Sequence, residues 1–158
     1  MNRDTDLRDT DLRDLLITRR VGVLATLKRD GRPQLSNVNF HYDKAAGEIQ
    51  ISVTDGRAKT RNLRRDSRAS FYVTSDDAYA WTVAEGVAEL GPVAMDPSDA
   101  AAGALVTLQR ASSGELPDWT AFRAQMVSER RLLLRLKIDH VYGQTQADLA
   151  GWLAERGT

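Results

Sequence analysis

Five basic side chains lie within nine consecutive residues of the segment GRAKTRNLRRD (56–66): Arg57, Lys59, Arg61, Arg64 and Arg65. The segment follows an alternating apolar stretch, residues 48–54, and the pair Asp55-Gly56, so we expect it to leave a strand and begin a short helix. The first turn of a helix presents free backbone N–H groups, and neighbouring Lys and Arg side chains add positive charge. The spacing therefore favours a phosphate site. The alternative is a solvated basic helix face.

Other reactive-site patterns are absent from the sequence. The chain contains no cysteine, which excludes disulfides, a cysteine nucleophile and thiolate metal sites. His41 and His140 stand 99 positions apart with no ligand spacing around them, so we expect no metal site. No GxSxG, GxGxxG or Walker A motif occurs, so hydrolase, Rossmann and P-loop interpretations have no support.

The composition is that of a chain that folds around an ordinary core. Its 158 residues suit one domain, which buries roughly 70% of the surface of the unfolded chain. The 22 basic and 22 acidic residues cancel, and no set of stacking aromatics accompanies the basic segment, so nucleic acid is not an expected partner. There is no secretory signal pattern and no apolar run near 18 residues, so we expect a cytoplasmic protein without membrane insertion.

The N-terminal residues 1–14 contain the sequence TDLRD twice in tandem, at residues 5–9 and 10–14. The repeat is too short for a solenoid unit and predicts a frayed or weakly docked helical extension. Residues 15–158 are predicted to form a single domain that includes the C-terminal tail.

Six strands are predicted in that domain, and most of them are joined as hairpins. They fall at residues 21–27, 34–43, 48–54, 68–75, 81–90 and 131–141. Asp30-Gly31 supplies the turn of the first hairpin. Gly86 inside the fifth strand suggests a bulge or a close backbone approach.

Two helices are predicted between the fifth and sixth strands. Residues 96–99 combine capping acids with a proline at the start of the first one. Trp119, Phe122 and Met126 form the apolar stripe of the second, for which packing is the expected role.

These elements predict a mainly β protein, a closed or split antiparallel barrel with short helices. A parallel α/β fold is disfavoured because the first three strands lack helical crossovers. Leu133 is expected on the outer face of the last strand. Leu24, Leu133 and Trp152 are therefore candidate apolar contacts of a homodimer.

Four segments of the chain, VGVLATLKRDGRPQLSNV, ISVTDGRAKTRNLRRDSRASFYV, AWTVAEGVAEL and LLLRLKIDHVYG, follow one another in an order that resembles the pyridoxamine 5′-phosphate oxidase-like split-barrel superfamily. The resemblance covers residues 15–143. Within the superfamily, RAKTRNLRRD and VAEG look most like the actinobacterial branch that uses the deazaflavin coenzyme F420. The resemblance implies a six-stranded antiparallel split barrel of the FMN-binding type, a homodimer, and an F420-dependent oxidoreductase in which no side chain is a covalent catalyst.

The resemblance also implies which residues contact the coenzyme. Lys59 matches the lysine that meets the phosphate at the start of the helix, with Arg57, Thr60 and Arg61 beside it. The ring edge is expected along the second and third strands, at Gln34, Ser36, Asn37, Val38, Ser52 and Val53. Tyr79 and Trp81 match positions that approach the coenzyme from the partner subunit, and Tyr79 is a candidate proton donor.

One departure from the flavin enzymes bears on the choice of coenzyme. Those enzymes usually carry Arg directly before the matching lysine, where this chain has Ala58. Cations at Arg57, Lys59 and Arg61 would suit the phospholactyl and polyglutamate anion of F420 as well as a compact phosphate. The resemblance thus implies hydride transfer from C5 of reduced F420 to a small unsaturated organic substrate. An FMN enzyme similar to pyridoxamine-phosphate oxidase and a non-catalytic F420 or flavin carrier stay open as alternatives.

Overall fold

The computed structural model describes residues 3–157, with side chains from residue 7 onwards. This part of the chain forms five α-helices and seven β-strands. In chain order they are α1 (Arg3–Thr18), β1 (Val21–Leu27), β2 (Pro33–Asn39), β3 (His41–Asp43), β4 (Glu48–Thr54), α2 (Ala58–Arg65), β5 (Arg68–Thr74), β6 (Trp81–Leu90), α3 (Ala100–Ser113), α4 (Trp119–Ser128), β7 (Arg131–Gln144) and α5 (Gln146–Arg156).

The seven strands form one antiparallel sheet in the order β2-β1-β5-β6-β7-β4-β3. The two edge strands, β2 and β3, are separated in sequence by Phe40 alone. Because one continuous run of chain forms both edges, the sheet curls on itself into a half-barrel, which also reduces the length of unpaired edge. The mainly β antiparallel prediction is confirmed.

The prediction of six strands was wrong, because residues 34–43 form two strands rather than one. Residues 33–39 pair with β1, whereas residues 41–43 pair with β4. Phe40 marks the change of partner. Its ring is 4% exposed and packs edge-to-face on Phe71, with the ring centroids 4.7 Å apart. Burial of this one ring turns the chain from one edge of the sheet to the other.

Alternating side chains of β4 and β7 fill the inside of the half-barrel. The side chains on the inner face are completely buried, as the period of two along a half-buried strand predicts. They are Ile49 and Ile51 on β4 and Leu132, Leu134 and Leu136 on β7. The main core therefore lies under the pair β4–β7, the same pair that carries the site described below.

Two of the three proposed dimer contacts are buried within the chain. Leu24 is 0% exposed and belongs to the main core, so its outward placement was wrong. Leu133 does lie opposite the main core, but α3 and α4 cover it in a second apolar cluster and it is only 5% exposed. Trp152 on α5 is 49% exposed.

The tandem TDLRD repeat lies within α1, which runs across the expected boundary between residues 14 and 15. Five residues advance an α-helix by about 140° beyond a full turn, so the two copies face different sides. Leu12 is accordingly 4% exposed and Leu7 is 64% exposed. The hydroxyl of Thr82 donates to the Leu12 carbonyl over 2.7 Å, which fixes the second copy to the sheet.

Several local signals of the sequence are found at their expected places. The register of β6 and β7 shifts between Glu85 and Gly86, and a Cβ at Gly86 would lie 1.8 Å from the Lys137 carbonyl oxygen. The expected start of α3 at residues 96–99 is confirmed, with Asp99 as the cap, since its carboxylate accepts from the Ala102 amide over 2.7 Å. None of the helices within residues 3–157 is long and apolar enough to cross a membrane.

Candidate functional site

The basic segment forms a rigid corner between β4 and α2. The hydroxyl of Thr60 donates to the Thr54 carbonyl over 2.8 Å, and the Arg57 amide donates to the same carbonyl over 3.2 Å. Asp55 pairs with Arg130 over 2.8 Å and also with Arg64, and these hydrogen bonds lower its pKa. The start of the helix is therefore held against the end of the strand.

A cleft of about 630 Å³ opens beside this corner, between the strands β2 and β4 and the helices α3 and α4. Its volume falls within the range of small-molecule and cofactor sites. It is lined by Arg20, Asn37, Val38, Asn39, Phe40, Gln50, Ser52, Val53, Thr54, Arg57, Lys59, Leu105, Leu108, Gln109, Ser112, Ser113, Phe122, Met126 and Arg131. The strands contribute mainly polar side chains and the helices an apolar wall.

The charges around the cleft all have the same sign. Four cations line it, Arg20, Arg57, Lys59 and Arg131, and no Asp or Glu is among the described lining residues. The complete chain has equal numbers of acidic and basic residues, so this is a local segregation. Such a cleft concentrates positive potential and attracts anions.

The pKa of Lys59 is lowered, first because the ammonium is partly buried and then because Arg57 and Arg131 repel a further positive charge. Neither Lys59 nor Arg57 makes an ion pair or side-chain hydrogen bond with any side chain described between residues 7 and 157. Arg131 is bound to Glu129 over 2.7 Å. Two of these three cations are therefore available for a ligand, and an anion would remove the repulsion that lowers the Lys59 pKa.

Half of the twelve positions singled out from the sequence lie together in this cleft. They are Asn37 and Val38 on β2, Ser52 and Val53 on β4, and Arg57 and Lys59 at the corner. The structure thus brings together the residues assigned to the ring edge and to the phosphate. Their contact with a coenzyme stays a prediction.

Four others near the corner or on β2 do not line the cleft. Thr60 is fully buried and its hydroxyl is bound to Thr54, so it holds the helix start. The Arg61 guanidinium donates to the Gly56 carbonyl over 3.2 Å, and Gln34 accepts from Asn62 over 2.9 Å. Ser36 pairs with Leu24 in the β1–β2 ladder. Within this subunit, these four act through internal contacts.

Tyr79 and Trp81 lie away from the cleft, before and at the start of β6. Tyr79 is 57% exposed. The Trp81 ring lies between those of Tyr72 and Tyr142, at centroid distances of 6.4 and 6.1 Å. Neither residue lines the cleft of this chain.

The sequence interpretation missed two of the four cations and the whole apolar wall. Arg131 reaches the corner because it pairs with Thr54 in the β4–β7 register, and knowledge of that register would have identified it. Arg20 carried no local signal. Phe122 and Met126 were recognised as part of an apolar helical stripe, but packing was the role expected for them. Among the described residues there is no group of three or more His, Cys, Asp or Glu that could hold a metal ion.

Comparison with known proteins identifies similar chains. The family model described as pyridoxamine 5′-phosphate oxidase matches residues 9–145. A conserved hypothetical protein from Mycobacterium tuberculosis is 24% identical with a TM-score of 0.66, over 95% of this chain and 88% of that one. A protein described as an F420 reductase is 25% identical with a TM-score of 0.59, over 80% of this chain and 93% of that one.

A similar fold also occurs with a different named ligand. A heme storage protein from Vibrio cholerae is 14% identical with a TM-score of 0.64, over 89% of this chain and 97% of that one. At this identity the match concerns the fold alone. The ligand of this chain must therefore be argued from the residues of its own cleft.

Proposed function

Because the chain belongs to the pyridoxamine 5′-phosphate oxidase family, we propose that it is an oxidoreductase that binds coenzyme F420 in the cleft and uses it to reduce a small unsaturated organic compound. One observation carries the proposal: Lys59 and Arg57 are partnerless cations, among the described side chains, on the wall of a cleft without a lining carboxylate. An anionic group of a coenzyme is the chemistry that this arrangement fits.

In this proposal the protein binds and orients the coenzyme. Arg57 and Lys59 hold its phosphate, together with free N–H groups of the first turn of α2, and Arg131, which is bound to Glu129, adds positive charge beside them. Asn37 and Ser52 face the ring edge with polar groups. When bound, the coenzyme supplies the hydride.

The role of the apolar wall in the proposed reaction is to exclude water from the bound ligand. Leu105, Leu108 and Met126 are each at most 7% exposed, so the helical side of the cleft is a tightly packed apolar wall from which a bound ligand would displace water. Excluding water strengthens the electrostatic contacts of a bound ligand and fixes the approach of the substrate.

The choice of F420 over FMN is supported by two observations. Ala58 stands where flavin enzymes of this kind usually have Arg, and the F420 reductase is similar over nearly all of its own length. FMN stays the alternative coenzyme.

Heme is a poorer fit to this cleft. Protein ligands of heme iron are usually His, Cys, Met or Tyr side chains. Of the described lining residues, Met126 alone belongs to these types, and it is 6% exposed in the second apolar cluster. The cleft therefore favours an organic anion over a heme.

A titration of the purified protein with F420 and, separately, with FMN tests the proposal. Quenching of F420 fluorescence with saturable binding is expected, whereas a yellow protein with a flavin spectrum would identify the FMN alternative. Saturable binding of neither compound would overturn the proposed function. The Lys59→Gln variant should lose about tenfold or more in affinity, because a charge-assisted hydrogen bond is removed.

Arg61→Gln is the matched control for Lys59→Gln. Both residues are cations of the first turns of α2, but the Arg61 side chain is bound to the Gly56 carbonyl outside the cleft. We expect less than about a threefold change in affinity for this variant, since surface charges contribute little. Equal losses in the two variants would mean that the helix face as a whole, not the cleft, attracts the coenzyme.

A turnover assay separates an enzyme from a carrier. Oxidation of reduced F420 is expected with at least one member of a panel of unsaturated carboxylic acids, enones and quinones. Tight binding of F420 without oxidation by any of them would favour a protein that stores or delivers the coenzyme.

We also propose that two copies of the chain associate through the outer aromatic face, formed by Tyr72, Trp81, His140 and Tyr142. Tyr72 is 37% and Tyr142 is 42% exposed, and such contiguous aromatic surface is common at interfaces. In such a dimer Tyr79 and Trp81 would approach the partner's coenzyme. A monomeric mass by light scattering would remove this proposal.

A further inference from the structure

The proposed phosphate site leaves one cation of the cleft unused. Arg57, Lys59 and Arg131 all lie near the end of β4 at Thr54, because Arg131 pairs with that residue and the other two follow it in sequence. Arg20 lies at the opposite end. Its carbonyl accepts from the Phe40 amide over 3.0 Å, and the next residue, His41, pairs with Gln50 near the start of β4.

The two ends of the cleft are well separated. Gln50 and Thr54 both line it, and the four residue steps from one to the other span about 13 Å along an extended strand. A single phosphate cannot bridge that distance. Arg20 therefore marks a second place at which the cleft attracts negative charge.

The Arg20 guanidinium has most of its donors available. It donates once, to the Ser112 carbonyl at the end of α3, and no carboxylate among the described side chains pairs with it. A guanidinium offers five N–H donors in a planar fork that matches a carboxylate. The side chains of Asn39 and Gln109, which also line the cleft, supply further hydrogen-bonding groups.

The helical side of the cleft is lined by apolar side chains of both α3 and α4. Leu105 and Leu108 of α3 and Phe122 and Met126 of α4 line it. A ligand that reaches Arg20 thus combines an apolar, extended body with a terminal anionic group. This is the chemistry of an unsaturated carboxylic acid.

We propose that Arg20 binds the carboxylate of the substrate, and that the substrate is an unsaturated organic acid rather than a neutral enone or quinone. The inference rests on the proposed function, which assigns the other end of the cleft to the phosphate of the coenzyme. It concerns recognition only, and Arg20 takes no part in the transfer of the hydride.

Matched probes test this inference. Binding of trans-cinnamate and of its uncharged counterpart trans-cinnamamide is measured by calorimetry, on the ligand-free protein and on the protein with F420. The acid is expected to bind about tenfold or more tightly than the amide, since it alone can pair with the guanidinium. Equal affinities for acid and amide would overturn the proposal.

Arg20→Met removes the guanidinium and keeps a long side chain. It should lose the preference for the acid, bind the amide as before and keep its affinity for F420 within about twofold. Arg20→Lys should retain part of the preference, because it keeps the charge without the planar fork. A thermal melt of each variant reports whether loss of the contact with Ser112 disturbs the fold.

Arg19→Met is the control. Arg19 is the neighbouring guanidinium, is bound to Asp76 over 2.8 Å and does not line the cleft, so this variant should behave as the unmodified protein. If Arg20→Met instead loses about tenfold in F420 affinity, Arg20 holds the coenzyme and the proposal is wrong. If F420 and FMN both fail to bind the unmodified protein, the proposed function fails, while the comparison of acid and amide between the ligand-free unmodified protein and its Arg20→Met variant still decides the role of Arg20.

Discussion

A lysine lies near each end of strand β4, and the two lysines differ in whether a carboxylate pairs with them. At the first end, Glu48 is 3% exposed and pairs with Lys137 and, over 3.5 Å, with Arg135. At the other end, near Thr54, Lys59 lies beside Arg57 and Arg131. Arg131 is bound to Glu129, but no described carboxylate pairs with Lys59. Glu48, Lys137 and Arg135 thus form a closed cluster, in which the charges are paired. Arg57 and Lys59 form an open cluster, in which no described side chain pairs with either cation.

The pKa shifts of the two lysines show the consequence. The hydrogen bond with Glu48 raises the pKa of Lys137, whereas burial and the neighbouring arginines lower that of Lys59. A raised lysine pKa marks a charge that the fold stabilises, and a lowered one marks a charge held at a cost. The comparison separates an internal ion pair from a ligand site, although both are clusters of cations on one strand.

The largest change in stability is expected when the carboxylate of the closed cluster is removed. Glu48→Gln leaves the size of the side chain unchanged but removes the charge that Lys137 and Arg135 contact. We expect a loss of about 2 kcal/mol in the free energy of unfolding, less than for a fully buried pair because both cations are partly exposed. Urea denaturation measures it.

Glu89→Gln is the control for that variant. Glu89 faces Arg135 across the β6–β7 ladder but is exposed, so its removal should change stability by less than about 0.5 kcal/mol. If the two variants lose the same stability, burial of Glu48 is not what makes the first cluster strong.

The second prediction is that an added anion binds to the open cluster. Inorganic pyrophosphate should bind at Arg57 and Lys59 and raise the melting temperature of the ligand-free protein. At ten times its dissociation constant, the stabilisation amounts to about 1.4 kcal/mol. The shift should vanish in the Arg57→Gln, Lys59→Gln double variant, and an unchanged shift would place the anion elsewhere.

The Lys59→Met variant should be more stable than the unmodified protein, whereas Glu48→Gln should be less stable. Removing a partly buried, repelled charge should stabilise the ligand-free protein by about 0.5 kcal/mol while weakening coenzyme binding. Lys44→Met is the control, since Lys44 is exposed and paired with Asp14 over 3.0 Å. Destabilisation by Lys59→Met would contradict the view that this charge is held for a ligand.

The pH dependence of stability gives the smallest and most specific signal. Burial alone would raise the pKa of Glu48, but the hydrogen bonds from Lys137 and Gln50 lower it below the ordinary 4.5. Its contribution is therefore complete above that pH and is lost as the pH falls below it. The unmodified protein should lose more stability than Glu48→Gln in that acidic range.

Lys59 affects the pH dependence of stability in the alkaline range, and there too stability should rise with increasing pH. Its pKa in the folded state lies below the ordinary 10.5, so the unfolded chain binds the proton more tightly. Stability attributable to this group should rise with pH as 10.5 is approached from below. Unfolding curves that coincide for the unmodified protein and Lys59→Met in this range would contradict the assignment.

Local signals in the sequence were sufficient for the elements near the site. The Asp30-Gly31 turn predicted the first hairpin, where Gly31 has φ 82°, and the alternation of residues 48–54 predicted β4. Gly86 predicted the bulge. Each depends on residues next to one another in the chain, and backbone geometry follows from such neighbours.

The errors concern contacts between distant residues. Leu133 alternates outwards as predicted, yet two helices cover it. Periodicity gives the face of a strand but not what packs on that face, because the packing partner lies far away in sequence.

The sequence by itself determined that a phosphate-favouring basic corner follows β4, since strand period, turn residues and charge are all local properties. Only the tertiary structure decided which cations share the cleft. The β4–β7 register brings Arg131 to Lys59, and the turn at Phe40 brings Arg20 to the far end. Those placements depend on long-range strand pairing and on the burial of one aromatic ring, and neither can be derived from the order of residues along a single segment.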